Sequence, residues 1–486
     1  MTPNQYTPEE PISSIATALA PAALGIVRVS GKGCIELVSK VFSRSKALLE
    51  APGNTLVYGW IIEQNSHPEL VSGSTKIDEV MLAVYRAPKS FTGEDMVEIF
   101  CHGGPAVVTA IQNLMLKIGF RQANRGEYTF RAFINGKTDL TRAEAVKEII
   151  DSHTDVSRSH AAGRLAGSLF SEIDSIKKLI IDTLAAIEVE IEYPEDEETI
   201  ADSFDRSDIE TAARRLSALA DSWRGEKLYQ DGARVVLAGR TNAGKSSLFN
   251  AILKEERAIV SDIEGTTRDW LESWASINGI PVRLFDTAGL RETSDVIEAQ
   301  GVEISRSLVH DADVVLYLVD SQTGLNDEDR DFIKNCTVPL IVVETKIDKC
   351  EAPSLRADAP SLRADAPSLR ADAPSLRAEG EAIHIPISSR TGAGLSELFA
   401  QITAILTAGL STERTQAGLG SARQKEAVSA ALESVRHALV SADDNYTLDA
   451  VVQDLEDALD SLGEVTGDVT PDDVLGSIFA NFCVGK

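Results

Sequence analysis

The stretch Gly239–Ser247 has the sequence GRTNAGKSS; it follows an apolar run, RVVLAG (234–239), and precedes a helical stretch. The spacing G-x-x-x-x-G-K-[S/T] between a strand and a helix predicts a loop that binds phosphate. Its glycines let backbone N–H groups surround the phosphates, and the start of the helix adds a favourable dipole. Lys245 is the catalytic charge on the β- and γ-phosphates, and Ser246 is a ligand for Mg²⁺.

Four further motifs follow in the order typical of a guanine-nucleotide site: GTTRD (265–269), DTAG (286–289), TKID (345–348) and SSR (388–390). Thr267 is a second candidate Mg²⁺ ligand, Asp286 can hold the Mg²⁺ shell, and the Gly289 amide can sense the γ-phosphate. Asp348 can accept two hydrogen bonds from the guanine edge, which selects against adenine, and the SSR backbone can contact the base oxygen. These motifs predict a GTPase of the translation-factor type. The nucleotide-binding residues predicted from the five motifs are Asn242, Ala243, Gly244, Lys245, Ser246, Ser247, Gly265, Thr266, Thr267, Asp286, Thr287, Ala288, Gly289, Thr345, Lys346, Asp348, Ser388, Ser389 and Arg390.

Two positions depart from the commonest GTPase pattern. Leu290 follows DTAG, where Ras-like enzymes place a glutamine that orients the attacking water, so hydrolysis needs another group. Asn242 is a candidate for holding a monovalent cation, and Glu298 either orients water through an intermediary or is one of many exposed carboxylates. Thr345 replaces the usual asparagine, which we expect to loosen the bracing between loops.

The surrounding sequence predicts a multidomain chain. Near-continuous Val/Ile/Leu runs alternate with helical stretches after Arg234, which indicates a parallel sheet covered on both faces. Apolar stripes of helical period precede this block from Ile173 to Ile191 and follow it from Val428, so one helical domain is interrupted by an inserted α/β domain. Thr470 is the predicted N-cap of a last short helix, with Pro471 at its first position.

Four ranges describe the predicted organisation. An α+β domain occupies 1–120, the helical domain 121–225 and 411–486, and the inserted Ras-like P-loop domain 226–410. Within the last, the repeated APSLRAD of 352–379 carries a proline in every copy, which breaks a helix interior. We interpret this segment as a surface loop without chemistry.

Composition excludes several classes of protein. The 486 residues are 43% hydrophobic and 25% charged, which is ordinary for a globular chain, and no apolar run reaches the roughly 18 residues of a membrane span. The five cysteines are odd in number and scattered, which argues against a disulfide scaffold or structural zinc and predicts the reducing cytoplasm. The net charge of −28 argues against indiscriminate nucleic-acid binding.

A local basic excess remains between Lys117 and Lys147. This segment contains seven basic and three acidic residues. Either this segment contacts RNA phosphates, or it is a solvated helix face and scaffold. The basic residues are Lys117, Arg121, Arg125, Arg131, Lys137, Arg142 and Lys147.

The motifs outside the α/β block carry a family resemblance. They are GIVRVSG (25–31), SFTGEDMVEIFCHGGP (90–105), RGEYTFRAFINGKTDLTRAEAV (125–146) and the last five residues, FCVGK (482–486). Together with the five nucleotide motifs and the domain order, they resemble the MnmE (TrmE) family of tRNA-modifying GTPases over essentially the whole chain. The alternative function is a regulatory GTPase switch in ribosome assembly, without modification activity. Such a protein would share the nucleotide motifs but not the motifs outside the α/β block.

The resemblance implies a reaction and partners. It implies a homodimer built through N-terminal domains that bind a one-carbon tetrahydrofolate, either 5,10-methylene- or 5-formyl-tetrahydrofolate. It also implies an FAD-dependent partner, MnmG (GidA), in a heterotetramer, and tRNA as substrate. The product would carry a carboxymethylaminomethyl-type group at carbon 5 of the wobble uridine.

The resemblance also assigns residues. The folate contacts fall on Arg28, Glu98, Lys137 and Lys486. Hydrolysis would depend on potassium, with Asn242 as one ligand and Glu298 as the water-organising glutamate. Cys483 is either a small buried hydrophobe or a thiol reactive toward the uridine or the folate-derived carbon. The potassium ligands are Asn242, Ser261, Ile263 and Thr266, within the loop Ser261, Asp262, Ile263, Glu264, Gly265 and Thr266.

Overall fold

The structure is a computed structural model that describes residues 10–63, 75–192, 206–255, 271–286, 308–349, 383–410, 417–443, 448–483 and 485. The chain divides into two compact units. The first unit comprises Met1–Ile150, Gly163–Ala220 and Gly420–Lys486, and the second comprises Asp151–Ala162 and Asp221–Leu419. The second unit is thus contributed mainly by one stretch that interrupts the first, as the predicted insertion requires.

The helices and strands are named in chain order. The strands are β1 (Ile12–Ile15), β2 (Ala22–Ser30), β3 (Thr55–Glu63), β4 (Thr75–Tyr85), β5 (Met96–Gly103), β6 (Arg121–Gln122), β7 (Ala233–Gly239), β8 (Leu271–Ile277), β9 (Ile280–Asp286), β10 (Val314–Asp320), β11 (Leu340–Thr345) and β12 (Ile383–Pro386). The helices are α1 (Cys34–Ser39), α2 (Ser45–Leu49), α3 (Pro105–Lys117), α4 (Glu127–Ile134), α5 (Leu140–Asp151), α6 (Asp155–Leu165), α7 (Ser168–Glu192), α8 (Ser207–Asp231), α9 (Lys245–Glu255), α10 (Asp327–Asn335), α11 (Leu395–Leu406), α12 (Ala422–Asp443), α13 (Leu448–Thr466) and α14 (Asp472–Ala480).

The first unit contains a mixed sheet beside a helical part. The sheet order is β3-β4-β5-β2-β1-β6, and among these described strands β1 and β6 are the parallel pair. Alternate residues such as Val27, Val29 and Ile99 point into the core that α3 covers, because side chains of a strand alternate between faces. The helical part packs α12 along α13 and α13 along α7, whose stripe Ile173–Ile187 is buried. These elements confirm the predicted α+β and helical classes.

One predicted helix start is wrong. The last helix, α14, begins at Asp472 with Pro471 as its N-cap, not at Pro471 with Thr470 as the cap. Pro471 has ψ 143°, which is extended, and its carbonyl accepts from the N–H groups of Val474 and Leu475. Within the described stretch 448–483, the Thr470 side chain makes no capping bond.

The second unit is the predicted α/β layer. Its sheet order is β12-β11-β10-β7-β9-β8, and among the described strands β8 alone runs antiparallel to its neighbour. One apolar face packs against α9 and α11, and the other packs beside α10. The carboxyl ends of the parallel strands therefore meet at one edge, where an open α/β sheet binds its ligand.

No helix in the described ranges combines the length and apolar character that crossing a membrane needs. The repeat of 352–379 lies outside the described residues.

Candidate functional site: a phosphate loop and a buried arginine–glutamate pair

The loop between β7 and α9 has the backbone that the motif predicts. Asn242 has φ 62° and Gly244 has φ 96°, the left-handed region that glycine adopts freely and asparagine tolerates. At the end of β7, a Cβ on Gly239 would lie 2.4 Å from the carbonyl oxygen of Leu318 on β10. Glycine is therefore needed where the loop leaves the sheet.

Three polar side chains meet at this loop. Lys245 is buried, and its Nζ donates to the carbonyl oxygens of Gly239 and Arg240, both at 2.8 Å. Ser246 Oγ donates to Asp286 Oδ2 at 2.9 Å, and Asp286 is buried at the end of β9. A hydroxyl and a carboxylate at this spacing offer the oxygen ligands that Mg²⁺ prefers.

The predicted guanine-reading residues also lie together. Asp348 lies in a short 3-10 turn, Ile347–Lys349, directly after β11. Ser388 Oγ donates to Asp348 Oδ1 at 2.7 Å, and this hydrogen bond lowers the pKa of Asp348. The N–H of Ser388 in turn donates to the Ala393 carbonyl. The carboxylate is thus ionised and oriented, as hydrogen bonding to a base requires.

The expected loosening at Thr345 is wrong. Thr345 Oγ1 lies 2.7 Å from the carbonyl oxygen of Ala243 and 3.2 Å from that of Val319, and the side chain is buried. Lys346 adds a second brace, because its Nζ donates to the Asn242 carbonyl at 2.6 Å and to Asp320 Oδ2 at 2.7 Å. A threonine hydroxyl therefore replaces the asparagine amide as the link from β11 to the phosphate loop.

We expect Thr345→Val to weaken GTP binding by about threefold to tenfold, since a net hydrogen bond is lost and the Ala243 carbonyl loses its partner. Thr345→Asn should keep near-normal affinity, because its amide can donate to the same carbonyl. Fluorescent-nucleotide titration measures both. Thr407→Val is the matched control, since it removes an equivalent bond to the Thr403 carbonyl on α11. Equal affinities for all variants would contradict the brace.

A second polar cluster lies in the first unit. Arg28 on β2 faces Glu98 on β5; Nε and Nη2 lie 2.9 and 2.7 Å from Glu98 Oε1. Arg28 Nη1 also donates to the carbonyl oxygen of Gly485 at 2.8 Å, so it links the sheet to a residue 457 positions later. The predicted folate residues Arg28 and Glu98 are thus in contact, and the chain end lies beside them.

Aromatic side chains that sequence analysis missed surround this pair. The Arg28 guanidinium lies 5.6 Å from the ring centre of Tyr128 and 5.9 Å from that of Phe91. Lys137, a third predicted contact, donates through Nζ to the Pro88 carbonyl at 3.0 Å. Phe91 and Tyr128 lie within the SFTGED and RGEYTF motifs, but no spacing rule relates these two motifs.

Cys483 is exposed, so the alternative of a small buried hydrophobe is wrong. Its carbonyl accepts from the N–H of Gly126 at 3.4 Å, at the start of α4. A Cβ on Gly126 would lie 2.5 Å from the Phe479 carbonyl, and Phe479 packs edge-on against Phe130. The end of α14 is therefore held against α4, which keeps the thiol in the same unit as Arg28.

Most of the basic segment 117–147 is paired within the first unit. Arg131 is fully buried; its Nη1 donates to both Glu94 oxygens at 3.1 and 2.9 Å, and its Nη2 to Glu127 Oε1 at 3.0 Å. Arg121 pairs with Glu127 and Glu10. These contacts favour the scaffold alternative over a continuous surface for RNA phosphates.

Several predicted site residues lie outside the described residues. They are Ser261, Asp262, Ile263, Glu264, Gly265, Thr266, Thr267, Thr287, Ala288, Gly289, Leu290, Glu298 and Lys486.

Comparison with known proteins identifies the family. The family model for the GTP-binding protein TrmE N-terminus matches residues 11–137, and that for the MnmE helical domain matches 140–483. The tRNA modification GTPase MnmE of Treponema denticola is 50% identical over 489 residues, covering 99% of each chain, and that of Treponema pallidum is 43% identical over 505 residues, covering 100% of each. Among solved structures, the G domain of the T. maritima FeoB iron transporter aligns with 36% of this chain and 98% of its own at 25% identity and a TM-score of 0.24. On the family models and the two full-length relatives, the chain belongs to the MnmE family of tRNA modification GTPases.

Proposed function

We propose that this GTPase, with the FAD-dependent partner MnmG (GidA), adds a carboxymethylaminomethyl-type group at carbon 5 of the wobble uridine of certain tRNAs. The added carbon comes from 5,10-methylene- or 5-formyl-tetrahydrofolate. The observation that carries the proposal is the contact of Arg28 with both Glu98 and the carbonyl of Gly485. This contact brings two of the predicted folate residues beside Gly485, which belongs to the FCVGK motif.

The nucleotide half of the reaction is supported by the phosphate loop. Lys245, whose ammonium has three N–H donors, would contact the β- and γ-phosphates, and Ser246 and Asp286 would hold Mg²⁺. Asn242 and the loop Ser261–Thr266 would hold K⁺, which neutralises charge that develops on the phosphates. Glu298 would orient the attacking water in place of the missing glutamine. Hydrolysis then acts as an order-to-disorder switch and does not supply chemistry to the base.

The carbon-donor half is supported by the chemistry of the second cluster. Glu98 can accept hydrogen bonds, as the N–H groups of a pterin require, while the contact with Arg28 orients it. The ring of Phe91, which is 41% exposed, offers flat apolar surface beside Arg28. Lys137 and Lys486 supply positive charge for the glutamate tail of the folate.

We expect Arg28→Ala to weaken binding of 5-formyl-tetrahydrofolate by about 10- to 100-fold, because a charge-assisted hydrogen bond is lost and Glu98 loses its ion-pair partner. GTP hydrolysis by the same variant should stay unchanged, whereas wobble-uridine modification, measured by mass spectrometry of tRNA, should fall. Calorimetric titration measures folate binding. Arg44→Ala, which loses an exposed bond to the Tyr58 carbonyl, is the matched control. Wild-type protein that binds no folate would overturn the proposal and favour a regulatory switch without modification activity.

The proposed role of Cys483 is supported by its exposure in the unit that also holds Arg28. An exposed thiol in the unit that holds Arg28 can react with the uridine or with the folate-derived carbon. A Cys483→Ser variant should lose tRNA modification while it retains GTP hydrolysis. Full modification by this variant would remove the thiol from the mechanism.

An apolar face on the first sheet supports the proposed homodimer. Tyr58 pairs with Met81, Met81 with Phe100, and Phe100 with Ile26, so these side chains form one row across four strands. Tyr58 and Met81 are 52% and 45% exposed. A row of apolar side chains on one open face fits a second copy of the same sheet. The heterotetramer with MnmG and the binding of tRNA rest on the family alone.

A further inference from the structure

Arg240, the second residue of the phosphate loop, reaches out of the loop with its side chain. Its Nη2 donates to the carbonyl of Gly324 at 2.5 Å and lies 3.1 Å from Asp329 Oδ2. Gly324 lies in the turn after β10, and Asp329 lies in the first turn of α10. One guanidinium therefore connects the phosphate loop to a neighbouring turn and helix.

The backbone of Arg240 supports the catalytic lysine. The carbonyl oxygen of Arg240 accepts from Lys245 Nζ at 2.8 Å, and it also accepts from the N–H of Ala243 at 3.2 Å. A shift of Arg240 would thus move the oxygen on which the ammonium of Lys245 rests. The same residue carries the guanidinium that contacts Gly324 and Asp329.

Asp329 is a rigid anchor. It is buried, and it accepts from the Tyr317 hydroxyl at 2.7 Å and from the N–H of Asn326 at 2.9 Å. Asn326 in turn accepts from the N–H of Asp329 at 2.8 Å, which completes a capping box. Burial and the adjacent Asp329 raise the pKa of Tyr317, so its hydroxyl remains a donor.

We propose that Arg240 is a positioning residue for nucleotide binding: by the contacts of its Nη2 with Gly324 and Asp329, it fixes the carbonyl that places Lys245 for the phosphates. A buried carboxylate needs a cation nearby, and Arg240 is the guanidinium that meets Asp329 in the described part of the second unit. Both contacts are made by the same guanidinium nitrogen, Nη2.

The experiment is a double-mutant cycle in the full chain, with fluorescent GDP as the probe. Arg240→Met should raise the Kd by about tenfold, because a charge-assisted anchor of the loop is lost. In a Lys245→Ala background, the same substitution should change the Kd by less than about twofold, since its effect passes through Lys245. Arg240→Lys, which keeps the charge, should recover part of the affinity.

Arg330→Ala is the matched control. Arg330 lies on α10, the helix that also carries Asp329, and its side chain is exposed. Its Nη1 lies 3.4 Å from Asp327 Oδ1. Its loss should leave the Kd unchanged. If Arg240→Met raised the Kd equally in the wild-type and Lys245→Ala backgrounds, Arg240 would have a merely structural role and the proposal would be overturned. An unchanged Kd for Arg240→Met would also overturn it. If Arg240→Met does not fold, the same cycle is run with Arg240→Lys, for which an unchanged Kd is again the contradicting result.

Discussion

Asp348→Asn should lower the affinity of this chain for GTP by on the order of 10²- to 10⁴-fold, because two hydrogen bonds from the guanine edge to a carboxylate are lost. The same variant should gain affinity for xanthosine triphosphate, since an amide N–H can donate to the oxygen that xanthine carries where guanine has an amino group. Ser388 orients the side chain at this position and supports an exchange without rearrangement of the turn.

Competition titration with both nucleotides measures this switch. Asp327→Asn is the control, because Asp327 is an exposed carboxylate on α10 of the same unit and should not alter nucleotide choice. A variant that loses GTP and gains nothing for xanthosine triphosphate would mean that Asp348 holds the loop and does not contact the base. The turn after β11 would then need another residue for base selection.

Arg131→Met should cost about 3–5 kcal/mol of unfolding free energy at neutral pH, since it removes a buried guanidinium from Glu94 and leaves the buried Glu127 with Arg121 alone. Glu127 is fully buried, and Glu94 is nearly so. Burial raises the pKa of Glu127, but hydrogen bonds from Arg121, from the N–H of Asn124 and from Arg131 outweigh it, so the net shift is downward. The loss of stability arises in the folded state, because the side chain of Glu127 is shielded from solvent there.

The pH dependence follows from the direction of that shift. A carboxyl whose pKa is lowered on folding adds stability above its unfolded pKa and loses it as the pH falls through the folded pKa. Arg131→Met raises the pKa of Glu127, so the variant should differ from wild type more at pH 7 than at pH 4. Urea unfolding monitored by hydrogen exchange in peptides of β5 and α4 measures the difference.

Arg125→Met is the control for this experiment, because Arg125 is exposed just before α4. Its substitution should change stability by less than about 0.5 kcal/mol. A loss for Arg131→Met that is equal at pH 7 and pH 4 would mean that packing, and not the ion pairs, sets the cost.

The phosphate loop shows what a contiguous motif can predict. Residues 239–247 form a loop whose function depends on its own backbone, so neighbouring residues are sufficient to predict a glycine-containing loop between β7 and α9. The alternation of apolar runs and helices likewise predicted the parallel sheet, because burial on both faces is a property of each strand by itself. The hydrogen bond from Ser246 to Asp286 follows from the loop motif and the strand pattern together, since the two residues lie at the same edge of the sheet.

Charge counts in the segment 117–147 show where such prediction stops. The sequence indicated a basic excess there, yet Arg131 pairs with Glu94, 37 residues earlier, and is buried. The same holds for Thr345, whose hydroxyl meets the Ala243 carbonyl 102 residues away. A composition window cannot report a partner outside it, so the sequence left the role of the basic segment open and gave the wrong expectation for Thr345.

The amino-acid order alone therefore determined the class of each domain, the five nucleotide motifs and the family, because periodic burial and loop chemistry depend on residues that are neighbours in the chain. The folded chain decided which charges are neutralised, how the phosphate loop is braced, and that Arg28 meets both Glu98 and Gly485. Those outcomes depend on pairs separated by up to 457 positions, and ion pairs and hydrogen bonds act only over a few ångströms, so only the tertiary fold brings them into range.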